Sequence, residues 1–292
     1  MEIISFEASM ADGVAKCYNE LIEPLQFCYP IPVERFASVE ALGHKLVRDE
    51  EIVVARRDGE VIGFAHVGIA LPPRNENELQ GEPAVIRCLA YRAGERRVGQ
   101  GLLEWVETWA KEREREAVYA WHAGYRYPFY YFEWAHLSVQ IGHVRALLGA
   151  NGYEEHDSEI YMVWRDFGGL DLSMPEVEFE IIPAWDGRWL TVKAMQAGER
   201  IGFCDMHRRL PSPAPDADDW CHCDWLWVAD RLRGKRLGVY LLVRGMREMR
   251  EVGCKHATIS TNMTNYRAQL MYTNMGYRVT DTTVALRKRL RE

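Results

Sequence analysis

The sequence predicts a mixed α/β chain built from two tandem copies of one unit, and three observations carry that reading. Gly59-Glu60-Val61-Ile62-Gly63-Phe64 returns as Gly198-Glu199-Arg200-Ile201-Gly202-Phe203. Arg97-Val98-Gly99 with Leu102-Leu103 returns as Arg236-Leu237-Gly238 with Leu241-Leu242, at the same offset of 139 positions. Within each copy, strand-like runs alternate with helix-like ones around one central sheet.

The elements follow in order. Residues 2–7 read as a strand, and residues 9–48 hold two helices broken near Pro30 and Pro32. Residues 51–57 and 60–69 form a hairpin about Asp58-Gly59, a strong turn dipeptide. A strand at 84–90, a helix at 97–114 and a strand at 117–122 come next, then an aromatic segment. A helix at 139–150 and two short strands reach residue 165. Residues 167–176, with paired glycines and a proline, mark a linker between a first domain, 1–166, and a second, 177–292. The second copy starts with a strand at 177–182 and omits roughly 36 residues, the two N-terminal helices, as the change of offset shows. The first copy carries 15 extra residues, an aromatic stretch with Tyr125, Tyr127, Phe129, Tyr130, Tyr131, Phe132 and Trp134. Rings at that density are expected to be buried against the other domain, or else to wall a substrate pocket.

Composition sets the bounds. The 292 residues are 48% apolar, enough for two cores and too apolar for a disordered chain. A net charge of −7 disfavours a polyanionic partner such as nucleic acid, and an anionic membrane surface as well. No apolar run approaches the roughly 20 residues of a membrane span. The start, Met1-Glu2-Ile3-Ile4-Ser5, lacks the pattern of a signal peptide. Seven cysteines without framework spacing fit reduced thiols. A cytoplasmic protein is expected.

Against this acidic background the basic turns stand out. Trp225-Leu226-Trp227-Val228-Ala229 reads as a buried strand running into Asp230-Arg231-Leu232-Arg233-Gly234-Lys235-Arg236-Leu237-Gly238. Apolar residues then recur at Leu237, Leu241, Leu242, Met246 and Met249, as on an amphipathic helix. Glycines that let the backbone turn tightly, a helix N-terminus and arginines together fit a diphosphate. On these residues the chain resembles the GCN5-related N-acetyltransferases (GNAT). Arg233-Gly234-Lys235-Arg236-Leu237-Gly238 is similar to the family's acetyl-CoA signature, with arginine in place of the middle glycine. Asn265, Ala268, Tyr272, Gly276 and Tyr277 fall as in the family's last helix. Two tandem GNAT-like domains, the second without the N-terminal helices, are thus implied.

The resemblance implies an acetyl-CoA-dependent N-acetyltransferase acting on the primary amine of a small molecule or peptide by direct attack on the thioester. Backbone groups of Leu226, Trp227 and Val228 would pair with the pantetheine arm. Residues 233–239 (Arg233, Gly234, Lys235, Arg236, Leu237, Gly238 and Val239), with Asn265, would hold the cofactor. A possible second site in the first copy, taken at the same offset, comprises Arg87, Cys88 and Leu89, then Gly94, Arg96, Arg97, Val98, Gly99 and Gln100.

Tyr272 occupies the family's acid position, and its first-copy counterpart is Leu148. For the base, alternation along 221–229 puts His222, Asp224, Leu226 and Val228 on one face; the counterpart of Asp224 is Val85. Asp224 is the first candidate and His222 the second. Cys221-His222-Cys223 has no second ligand pair at zinc spacing, so no metal is expected. Activity is expected in the second copy, with either the first copy or an open site serving the acceptor. Loop 208–220, with three prolines and an acidic end, is a candidate to attract a cationic amine. Activity in the first copy, or a non-catalytic acyl-CoA-binding protein, are the other readings.

Overall fold

The computed structural model describes residues 1–71, 82–131, 134–175, 177–209 and 216–290. The first strands and helices are β1 (Glu2–Ser5), α1 (Ala11–Ile22), α2 (Val39–Leu42), β2 (Val47–Arg57), β3 (Glu60–Ala70), β4 (Ala84–Tyr91), α3 (Arg96–Glu112) and β5 (Ala117–Ala120). β6 (Leu137–Ser138), α4 (Gly142–Ala150) and β7 (Glu154–Trp164) complete the first copy. The second holds β8 (Glu180–Asp186), β9 (Trp189–Gln196), β10 (Glu199–Arg208), β11 (Trp220–Val228), α5 (Leu237–Glu251), β12 (His256–Asn262), α6 (Tyr266–Met275) and β13 (Arg278–Arg289). The expected elements are present, except that one strand, β7, stands where two short ones were expected before residue 165; the deletion is as foreseen, since Gly187 and Arg188 alone join β8 to β9, where residues 6–46 join β1 to β2.

The repeated hexapeptide has a structural cause in both copies. Asp58 and Gly59, and again Ala197 and Gly198, take left-handed backbones (φ 50° and 84°, 49° and 81°), as a two-residue hairpin turn requires. The second glycine of each hexapeptide lies under a helix. A Cβ on Gly63 would come within 2.9 Å of Val98 and 3.2 Å of Leu102, and one on Gly202 within 2.9 Å of Leu241. The paired Leu102 and Leu241 thus need the paired glycines.

The chain divides into two compact units, Met1–Ser158 with Thr283–Glu292, and Glu159–Thr282. In the first unit β1 to β5 run in order, antiparallel apart from β4 and β5, and β5 pairs next with the last part of β13. There Leu286 pairs with Ala120 and Arg289 with Ala117. In the second, β8 to β12 are arranged in the same way and β12 pairs with the end of β7, from Ala257 with Trp164 to Asn262 with Glu159. Each copy therefore takes its last strand from the other copy's sequence. The boundary drawn at 167–176 falls inside the second unit, because the strand before it belongs with β12. Glu176 of that linker lies outside the described residues.

The aromatic insertion finds its partners in its own unit, which corrects the expectation that it faces the other domain. Tyr127 and Phe129 meet Tyr18 (ring centroids 5.8 and 5.4 Å), Phe129 meets Phe36, and Tyr127 meets His66. Phe132 lies outside the described residues. Arg87, fully buried, ties this loop down: its guanidinium donates to the carbonyls of Tyr125, Arg126 and Leu42 and pairs with Glu50 at 2.6 Å. Three carbonyls and the Glu50 carboxylate thus meet the donors of the buried guanidinium, the condition on which such a pair is tolerated.

Candidate active site

Each unit opens its sheet at the same place. β4 and β5 pair in parallel only from Ala84–Val118 to Ile86–Ala120, and β11 and β12 only from Trp220–His256 to Cys223–Ile259. Beyond Cys223 the edge of β11 is left for another partner. The register between β10 and β11 slips at that point, where Asp205 faces Trp225 and Met206 faces Cys223, so Asp224 is the extra residue of a bulge.

The bulge corrects the predicted face. One added residue reverses the alternation, so His222 and Leu226 cannot share a side. Leu226 and Val228 turn toward α5, within 4.0 and 3.6 Å of where a Gly238 Cβ would lie. His222 instead stacks on Tyr161 and stands 5.5 Å from the His207 ring. Asp224 goes with the histidines: Oδ2 is 3.1 Å from His207 Nδ1 and Oδ1 is 3.8 Å from His222 Nε2.

The same slip in β3 and β4, between His66–Cys88 and Val67–Ile86, makes Arg87 the bulged residue of the first unit. The structural counterpart of Asp224 is thus Arg87 and not Val85. The offset of 139 fails along β4 because the turn to the helix is two residues longer in the second copy. Tyr91, paired with Gly63, is accordingly the counterpart of Val228, paired with Gly202.

On the α5 side lies a cleft of about 840 Å³. It is lined by Leu226, Trp227 and Val228 from β11, by Arg233, Gly234, Arg236, Leu237, Gly238 and Val239 from the turn, and by Asn265, Ala268, Met271 and Tyr272 from α6. Leu232 and Arg267 also line it, two residues the sequence did not single out; Lys235 does not. Gly234 and Arg236 are both left-handed (φ 80° and 64°), and Arg236 caps α5. Left-handed residues leading into a helix turn backbone N–H groups inward, which makes an anion cradle. Arg236 shows why the middle signature position favours glycine. Asn265 caps α6, accepting from the Ala268 N–H at 3.4 Å, while its amide donates to Thr261 Oγ1. Tyr272 is 5% exposed, and burial pushes its phenol well above the ordinary value, with the Cys223 and Cys204 thiols and Glu159 adding to the rise. It therefore stays protonated at neutral pH.

The first copy has no equivalent cradle among its turn residues. Gly94 is left-handed (φ 93°), but α3 starts at Arg96, directly after Glu95 in an ordinary backbone (φ −89°). Tyr91 covers the place: a Cβ on Gly99 would lie 2.5 Å from its ring. The Tyr91 hydroxyl donates to the His143 carbonyl at 2.8 Å, and His143 Nε2 donates to the Tyr91 carbonyl at 2.9 Å. Cys88, Leu89 and Val98 are fully buried, Arg96 and Arg97 point to solvent, and Gln100 bonds to Glu104 and Asn151. Leu148, the first-copy counterpart of Tyr272, is buried and apolar. Among the described residues no group of three or more ligands could hold a metal, and no helix is long and apolar enough to cross a membrane. Residues 210–215 of the proline loop lie outside the described residues.

A mixed sheet splayed once in each unit, with a left-handed turn into a helix beside one splay, is the architecture of an acyltransferase. Residues 141–277, just under half of the chain, match the acetyltransferase (GNAT) family. The fold is similar to that of a tandem GNAT protein from the clavulanic acid biosynthesis pathway, at 12% identity and TM-score 0.67, over 100% of this chain and 99% of that one. It is equally similar to a GCN5-related N-acetyltransferase from Sphaerobacter thermophilus, at 15% identity and TM-score 0.67, over 100% and 96%. A GCN5-related glucosamine N-acetyltransferase region of a fungal multi-domain protein gives TM-score 0.69 at 12% identity, over 98% of this chain and 38% of that one. At such identities the likeness is one of fold. No curated protein matches the chain.

Proposed function

We propose that the second unit transfers an acetyl group from acetyl-CoA to a primary amine by direct attack on the thioester. The observation that carries this reading is the cleft itself. It joins a left-handed cradle at the start of α5, an unpaired edge of β11 and a buried, protonated Tyr272. Backbone N–H groups at 233–239 would take the diphosphate, with Arg233 and Arg236 adding charge. The edge from Leu226 to Val228 would take the pantetheine arm, which points the acetyl end toward the bulge at Asp224. Asp224 then accepts a proton from the acceptor's ammonium group, freeing the nitrogen lone pair to attack the carbonyl carbon. As the C–S bond breaks, Tyr272 gives its proton to the departing thiolate. The alternative, activity in the first unit, has Tyr91 in its cradle and Arg87 at its bulge against it. Free thiols at all seven cysteines fit a reducing compartment such as the cytoplasm.

The test is CoA release from acetyl-CoA with a panel of amines: an aminoglycoside, glucosamine, a polyamine, an arylalkylamine and a peptide with a free N-terminus. Release with at least one, lost in Gly238→Asp, supports the reading. Acetyl-CoA binding without release from any of them would leave a binding protein instead.

A further inference from the structure

We infer that His207, on β10, is a positioning residue that holds the Asp224 carboxylate in place as the base; this rests on the reading just given. Sequence spacing had no reason to select it, because it lies 17 positions away on a neighbouring strand and meets Asp224 only through the bulge. Its ring is 1% exposed and closed on the outer side by Trp189, at 4.7 Å between centroids.

The hydrogen-bond chain distinguishes the two histidines. His222 Nδ1 is engaged by Thr258 Oγ1 at 2.7 Å, and its Nε2 stands 3.8 Å from Asp224 Oδ1, beyond hydrogen-bond distance. At that separation His222 does not fix the carboxylate. His207 does, with Nδ1–H donating to Oδ2. The bond leaves Oδ1 as the oxygen that takes the ammonium proton. Asp224, whose side chain is 21% exposed, then releases that proton to solvent and returns to its carboxylate. Charge and protons balance at each transfer. Orientation of a base by a third group is a familiar requirement of acid–base catalysis.

Two variants separate positioning from simple support. His207→Leu fills the space and removes the donor, while His207→Asn places an amide N–H near the position of Nδ1. With the amine panel, His207→Leu is expected to lower kcat on the order of 10-fold to 100-fold, part of the 10²–10⁴ that a working acid–base group supplies. Acetyl-CoA affinity by calorimetry should stay unchanged, and His207→Asn should recover most of the rate. A Leu variant within about two-fold of the wild-type rate, or an Asn variant as slow as Leu, would overturn the inference. Asp224→Asn run in parallel tells the two claims apart: full turnover there removes Asp224 as base and leaves the proposed reaction to be recast. A readout without any acceptor is the nitrogen-15 spectrum of the His207 ring. Its Nδ1 should be protonated in the wild type and lose the proton in Asp224→Ala; an unprotonated Nδ1 in the wild type sinks the proposal even if no amine reacts.

Discussion

Two residues carry most of the chemical reading, and each can be altered almost without disturbing the fold. Tyr272→Phe removes one hydroxyl and keeps the ring that lies 5.9 Å from Tyr277. If the phenol is the acid, kcat should drop by on the order of 10²–10⁴ while acetyl-CoA affinity barely moves, since the interaction matters mainly in the transition state. A Phe variant with full kcat would make Tyr272 a core residue. Arg236 offers a test of the cradle in the other direction. Its left-handed backbone costs a non-glycine residue about 1 kcal/mol, partly offset by the lower entropy of its unfolded state. Arg236→Gly should therefore raise stability toward urea by up to about 1 kcal/mol and keep acetyl-CoA binding. A clear loss of stability would show that the arginine side chain holds the turn.

At the scale of the element, one turn differs between the copies in the property that matters. The α5 turn enters its helix through a left-handed residue, whereas the α3 turn does not and has Tyr91 folded over Gly99. Calorimetry should find one acetyl-CoA per chain; two would mean that Tyr91 swings away. Arg97→Glu, at an exposed position of α3, should leave both stoichiometry and turnover unchanged. The turns were legible in the sequence because glycines and arginines between an apolar strand and an amphipathic helix have few other uses. The first hairpin was legible for a similar reason, through Asp58-Gly59. The bulge was not. A single added residue in β11 leaves no mark in composition, yet it moves His222 off the face of Leu226, replaces Val85 by Arg87 as counterpart, and brings in His207. Nor could spacing have shown that the aromatic loop closes on Tyr18 and Phe36, because ring density indicates burial without saying against what.

For the molecule as a whole, stability toward acid is set in part by buried histidines of the first unit. His122 is depressed to about 3 by burial first and then by the neighbouring His136 and His156, with Asp157 opposing. The unfolded chain binds that proton near pH 6.5 and the folded one does not. Its contribution is thus complete above about pH 6.5 and is lost as the pH falls toward 3. His44, depressed to about 4 by burial and then Arg87, acts in the same sense. Thermal melts from pH 7.5 to 4 should show falling stability, and His122→Asn, which keeps an acceptor for the Gly124 N–H, should make the fall shallower. An unchanged slope in that variant would mean that the imidazole already charges at no cost in the fold.

The division into halves was only partly legible, because β7 and β13 have the same pattern and nothing in either says which sheet it enters. That exchange of strands sets a timetable for synthesis. Domains usually fold one after another as they leave the ribosome. Here the N-terminal sheet stays open along β5 until Leu286 to Arg289, made after β8 to β12, have emerged. Throughout translation of the second copy, an unpaired strand edge of the first is exposed, the kind of edge that invites wrong pairing. A ribosome stalled before residue 283 would hold a first unit that cannot close. Closure of the first unit is thus tied to residues 283–289, however complete the unit between them already is.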